Sequence, residues 1–169
     1  MDRGEVQPVV KTEPSEHYIH LLKGNYIGMH ATVMYRKWVF DEFLFDPTLK
    51  ACEDYDLYLR VARKYPVLHH ANKIAAYVLH DSNMSNNIPL MLTSALKVLK
   101  RQKQQLLSKQ EATAYAEGQK IWKAYYHQEL SAKLKTRSEL SAQDYYALLK
   151  YNPDFTLSKA LSSNKAIIQ

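Results

Sequence analysis

From Ile88 to about Arg137 the sequence carries no strand signal, and its apolar residues recur at helical spacing. Such a stretch can only fold as helices that bury one face each. Ile88, Met91, Leu92, Ala95, Val98, Leu99 and Leu106 trace a first amphipathic helix. Ala112, Tyr115, Gln119, Trp122, Tyr126 and Leu130 trace a second, which runs past Gly118. A third over 142–150 ends near Asn152-Pro153, a strong stop. Residues 88–169 are therefore expected as an all-helical C-terminal tail. The basic run 97–109 reads as the solvated face of the first of these helices. The stripe Tyr115, Trp122, Tyr125 and Tyr126 reads as core or interface packing.

The first half has a different texture. Residues 1–15 hold two prolines and no sustained period, and read as an extended lead-in. A short helix over 16–22 stops at Gly24-Asn25. The β-formers of 27–35 predict a buried strand, 37–43 a helical turn, and Asp46-Pro47 a break. Residues 53–65 give the clearest helix of this half, with Leu57, Val61 and Tyr65 at i, i+4, i+8. Its acids come first and its bases last, as the helix dipole favours, and Pro66 ends it. The apolar run 74–79 predicts a second strand, ending in His80-Asp81, with loop over 81–87. No internal repeat of fixed period is present. The expected organisation is an α/β piece, 16–87, ahead of the helical tail.

Composition narrows the class. At 46% hydrophobic and 24% charged, the 169 residues fit a globular chain of one domain or one domain plus an appendage. Cys52 stands alone, so neither an internal disulfide nor a cysteine-built zinc cage can form. With no long apolar run and no charged-then-apolar N-terminus, a reducing, cytoplasmic setting is expected. The net charge of +6 suits phosphate-bearing partners without choosing among nucleotides, lipid headgroups and nucleic acid.

Three features carry potential chemistry. Glu53 and Asp54 open a helix just after a proline-punctuated loop, where a carboxylate is held in place and can take a proton from a bound hydroxyl. Acids also favour helix starts for purely local reasons. His80, at a strand end before a polar loop, has the chemistry to touch a phosphate or a divalent ion, or it is an ordinary surface histidine. Asp54-Tyr55-Asp56 spells D-x-D, but inside a helix those acids lie roughly 200° apart around the axis and cannot share one ion. His17/His20 and His69-His70 have loose metal-like spacing with no acid or cysteine to complete a set. No Walker loop, GxGxxG or G-x-S-x-G occurs.

The order of these segments is more specific than any one of them. Gly24-Asn25-Tyr26-Ile27, Ala31-Thr32-Val33-Met34-Tyr35-Arg36, Phe45-Asp46, Cys52 through Arg60, and His80 with Asn83-Met84-Ser85 together resemble the second half of bacterial family 2 (GT-A type) glycosyltransferases. The resemblance covers about residues 16–87. It implies the C-terminal, acceptor-side half of a GT-A fold, a Rossmann-like nucleotide-diphospho-sugar transferase, followed by the helical tail. It implies inverting transfer from a nucleotide-sugar donor to a glycan or lipid-linked acceptor, in cell-surface polysaccharide biosynthesis. Asp54 matches that family's general base and Glu53 its neighbour. His80, Asn83 and Ser85 match its donor side, with His80 a ligand for Mg²⁺ or Mn²⁺ alongside a D-x-D that this sequence lacks. Peripheral contact with the inner membrane face is compatible with such acceptors. Nucleic acid is disfavoured as a partner.

The sequence departs from the family pattern in three ways. The usual Gly-Gly-Phe-Asp reads Phe43-Leu44-Phe45-Asp46, and the usual Tyr-Arg-x-His reads Tyr77-Val78-Leu79-His80. The nucleotide-binding half, about 100 residues of βα units, has no counterpart here. The chain is therefore expected not to turn over alone. The competing expectation is a non-catalytic helical interaction module that docks a partner protein or an anionic surface. The enzyme reading requires Asp54 and His80 to face one groove.

Overall fold

A computed structural model describes residues 10–12, 14–70, 72–76, 78, 83–135 and 140–151. The order is β1 (Val10–Thr12), α1 (Pro14–Lys23), α2 (Val39–Glu42), α3 (Glu53–Lys64), β2 (Val67–His69), α4 (Ile88–Gln102), α5 (Lys109–Lys135) and α6 (Ala142–Tyr151). Short 3-10 turns cover His30–Thr32, Met84–Asn86 and Lys103–Gln105. The protein is mostly helical, and among the described residues everything with regular structure from Ile88 onward is helix.

The helices form where the spacing predicts them, and their ends follow from local chemistry. Asn87 caps α4 by accepting from the Leu90 amide at 3.2 Å, and Pro89 sits in the first turn, where its missing N–H costs nothing. Ser141 and Asp144 cap α6 reciprocally: Ser141 N donates to Asp144 Oδ2 at 2.9 Å, and Asp144 N to Ser141 Oγ at 3.2 Å. The Tyr65 amide still reaches Val61 O at 2.9 Å, and Pro66 then prevents α3 from continuing.

One core joins both halves of the sequence. Tyr18, Leu21 and Leu22 of α1, Tyr55, Tyr58, Leu59 and Ala62 of α3, Ala95, Val98 and Leu99 of α4, and Ala114 of α5 are buried together. Gly118 lets α5 approach α1 closely: a Cβ there would lie 1.9 Å from the Leu22 carbonyl oxygen. Ile88, Leu92, Tyr126, Leu130, Ala147 and Leu148 form a second cluster between α4, α5 and α6. A third, Val39, Phe43 and Leu57, seats α2 against α3. Phe43 stands where the resembling family has a glycine, and its buried ring makes this corner a packed one.

Strand content is where structure and sequence part. The sole pairing among the described residues is β1 with β2, antiparallel, with Val10 opposite His69 and Thr12 opposite Val67. It uses part of the stretch read as an extended lead-in. Residues 27–35 are not a strand. A 3-10 turn interrupts them, closed by the Thr32 hydroxyl and amide on Met29 O at 2.8 and 3.2 Å. Ile27, Val33 and Tyr35 pack on the core while Met34 is 96% exposed. Residues 74–76 and 78, the described part of the second expected strand, also pair with nothing in a sheet, and Ile74 and Val78 are exposed. β-formers alternate their side chains in any extended segment. A strand additionally needs a neighbour to satisfy its backbone, and the neighbours of 27–35 are helices.

One buried group gives this fold a pH dependence. His17 is buried on α1; its Nδ1 meets the Tyr26 hydroxyl, and its Nε2 has no partner among the described residues. Burial, then the nearby His69 and His20, lower its pKa below the ordinary 6.5, against a smaller opposing pull from Glu16. A lowered folded value means the unfolded chain binds the proton more readily, so stability falls as pH drops through and below 6.5. We expect the melting temperature to decrease between pH 7 and pH 5, and His17→Phe to flatten that slope.

Candidate functional site

The chain enters α3 through Cys52, the only described non-glycine residue with positive φ (61°). A left-handed conformation costs an L-residue about 1–2 kcal/mol, and here it turns the backbone sharply into the helix. The Asp56 amide then closes the first turn on Cys52 O at 3.1 Å. The thiol is buried and donates weakly to Met91 O, and burial followed by the charges of Asp54 and Glu53 pushes its pKa to about 12. It is a packing group, not a nucleophile.

Asp54, the second helical residue, is partly buried, and its Oδ1 accepts the Tyr55 amide at 2.7 Å. Loss of water raises its pKa above the ordinary carboxyl value, and the Glu53 charge adds to this. The amide bonds and the His30 ring oppose it. Tyr35 and Tyr58 feel Asp54 in turn: burial first, then its negative charge, raise both phenols. Asp54 is thus a carboxylate in a poorly solvated ring of aromatic polar groups, the environment that tunes a carboxyl toward proton acceptance.

That ring extends to the surface. Tyr58 is buried and its hydroxyl meets His30 Nδ1 at 2.9 Å, with the two rings stacked at 5.9 Å. His30 also contacts Tyr35 at 5.8 Å and Phe45 edge-on at 5.5 Å. Phe40 lies 5.3 Å from Tyr35 and 6.3 Å from Phe45. Sequence reasoning did not single out His30, Tyr35 or Tyr58. His30 and Tyr35 are joined to Asp54 only through the fold, and a lone histidine in a β-former run gives no local sign of that, whereas Tyr58 lies one turn after Asp54 on α3.

The other half of the helical D-x-D has a different role. Asp56, with its side chain 3% exposed, binds Arg60 Nε at 2.8 Å and Arg101 Nη1 at 3.1 Å. Arg101 Nη2 continues to Asp46 at 2.7 Å, and Arg60 Nη2 to Leu44 O at 2.7 Å. Asp56 and Arg60 pair at i,i+4 on α3, inside a network that ties α3 to α4. Asp46 also accepts the Thr48 amide at 2.8 Å, and its pKa falls to about 2 through Thr48 first and then Arg101. A cleft of about 320 Å³ opens beside these groups, but both its arginines are already engaged by aspartates.

The remaining expected residues are less informative. His80 lies outside the described residues, so the pairing of Asp54 with His80 across a groove does too. Asn83 Nδ2 donates to Val78 O at 3.1 Å, ahead of the Met84–Asn86 turn, and Ser85 is exposed. His17 and His69 come into edge contact at 5.5 Å. Among the described residues no group of three or more His, Cys, Asp or Glu is arranged to hold a metal ion, and no helix is long and apolar enough to cross a membrane. No protein-family model matches the chain, and the searches of curated proteins and of solved structures returned no match.

Proposed function

We propose that this chain is the acceptor side of an inverting, family 2 (GT-A type) glycosyltransferase, with Asp54 as the base. The acceptor hydroxyl gives its proton to the Asp54 carboxylate as its oxygen bonds to the anomeric carbon. The bond from that carbon to the donor phosphate breaks, and the nucleoside diphosphate leaves with the electron pair. The observation that carries the reading is the desolvated Asp54, its pKa raised, opening α3 beside His30, Tyr35 and Tyr58. A base must hold its proton well enough to take it from an alcohol, and raising the carboxyl's pKa serves that end. Glu53 adds negative charge next to it. The donor nucleotide belongs with a half that these residues do not include, so transfer requires that half. The Mg²⁺ or Mn²⁺ that the resemblance implies finds no ligand set among the described residues, and no step here runs through it. His80, Asn83 and Ser85 remain its donor-side candidates on resemblance alone, as does contact with a lipid-linked acceptor at the inner membrane face.

The helical interaction module has its own support. Lys97, Lys100, Lys103 and Lys109 are all exposed along α4 and the start of α5, a basic edge suited to an anionic partner.

A carboxyl-resolved NMR titration separates the two. Asp54 is expected to titrate clearly above the ordinary aspartate value of about 3.9, and to return toward it when the cluster is opened by Tyr58→Ala. A raised folded pKa means that ionised Asp54 costs stability above that pKa. Asp54→Asn should therefore raise the melting temperature at pH 7 by a few degrees, on the order of 1 kcal/mol for a chain of this size. An Asp54 that titrates like a free side chain, with an Asn variant no more stable, leaves the base assignment without support and favours the module.

A further inference from the structure

The histidines whose spacing makes two incomplete pairs in the sequence are brought together by the fold. β2 pairs with β1 just ahead of α1, so His69 on β2 comes to lie beside His17 on α1. Their ring centres are 5.5 Å apart, with the ring planes at 77°. His17 is buried, and its Nε2 has no hydrogen-bond partner among the described residues. A buried polar atom left without a partner is rare, and an ion is one of the few things that accounts for it.

The spacing fits an ion. A tetrahedral metal holds imidazole nitrogens about 2.0–2.1 Å away, which sets two ligating ring centres roughly 5 Å apart. The angle between the ring planes is not constrained, since each imidazole can turn about its own metal–nitrogen axis. The other nitrogen of His17 is already committed, because Nδ1 meets the Tyr26 hydroxyl. With Nδ1 as the donor, the neutral ring carries its lone pair on Nε2. An outer hydrogen bond of this kind is what fixes the tautomer and orientation of a metal-ligating histidine. The enclosure of Nε2 excludes any larger ligand. His69 is exposed, and an exposed ring changes rotamer fast enough to let an ion in.

Imidazole ligands suit the late transition metals, whereas Mg²⁺ and Ca²⁺ take oxygen. We infer that His17 Nε2 and the His69 imidazole bind one ion of the Zn²⁺, Ni²⁺ or Cu²⁺ class, with water completing its coordination, and that this ion clips β2 to α1. The described residues supply no third ligand of the usual kind, so a chelator should strip the ion readily, unlike one in a four-ligand structural site. The site shares no residue with the Asp54 cluster, and the inference does not depend on the glycosyltransferase reading.

The test is calorimetric titration of the chelator-treated full chain with Zn²⁺ alone, followed in parallel by nitrogen-resolved NMR of the histidine rings. One ion per chain should bind, the His17 and His69 ring signals should shift together, and the melting temperature should rise with Zn²⁺ as it does for any ligand of the native state. His17→Phe and His69→Ala should each weaken binding at least tenfold. Because His69 is exposed, its variant keeps the test decisive even if the His17 variant folds poorly. Tyr26→Phe, which removes only the outer hydrogen bond, should cost about tenfold. His70→Ala should stay within about twofold, and Mg²⁺ should not compete. No bound Zn²⁺, unchanged binding in the His69 variant, or a His70 variant as damaged as the His69 one would overturn the inference, the last by placing the ion on the exposed pair instead.

Discussion

Asp56→Ala should lower stability by about 2–4 kcal/mol, a loss of roughly 5–15 °C in melting temperature for a chain of this length. Asp56 is almost wholly enclosed and is the shared acceptor of Arg60 and Arg101. Removing it leaves two guanidinium groups facing the hole. Breaking a buried pair on one side costs about 3–5 kcal/mol when the stranded charge is fully enclosed. Here the expected loss is smaller, because both arginine side chains are about one-third exposed or less, at 28% and 33%, and keep Leu44 O and Asp46 as partners. Asp56→Asn, which retains an acceptor of the same shape, should lose about half as much. Urea denaturation with an unchanged m-value would show that the native state alone is affected. A loss under about 0.5 kcal/mol, the scale of an ordinary surface change, would mean that the network does not join α3 to α4.

Gly118→Ala should be comparably costly, against the usual rule. Within a helix, alanine is favoured over glycine by about 1 kcal/mol. At this position the added carbon would sit 1.9 Å from the Leu22 carbonyl oxygen and 3.2 Å from Lys23 Cα, both backbone atoms that cannot rotate aside. α1 and α5 would have to separate, opening the core around Leu21 and Leu22. The expected net loss is about 2–3 kcal/mol, in the range of overpacked cores, with Gly118→Leu failing to seat α1 at all. Gly24→Ala is the control: its added carbon meets nothing within 4 Å, so the change should be near neutral. A stabilised Gly118→Ala variant would show that the two helices are not held this close.

What could be read from the sequence follows from the range of each interaction. The helices were legible because their causes are local: apolar residues three and four apart, and Pro66 after Tyr65. The separate fates of Asp54 and Asp56 were legible for the same reason, since their angular offset on one helix puts them in different surroundings. The strand expected over 27–35 was not, because such a run looks the same on paper whether its neighbour is a strand or a helix. His30 stayed hidden because the contact that gives it meaning, with Tyr58, spans 28 positions. Gly118 was visible as a glycine within a helix, but its reason is the carbonyl of Leu22, far upstream.

The seating of α1 on α5 also sets a timetable for synthesis. About 95 residues separate Lys23 from Gly118. At 5–20 residues per second, α1 must wait roughly 5–20 s after its own synthesis before its docking surface is made. Throughout that interval Leu21 and Leu22 have α3 as cover but lack α5, and Tyr55 waits for Trp122. This protein should therefore lean on chaperones more during translation than when it refolds as a finished chain.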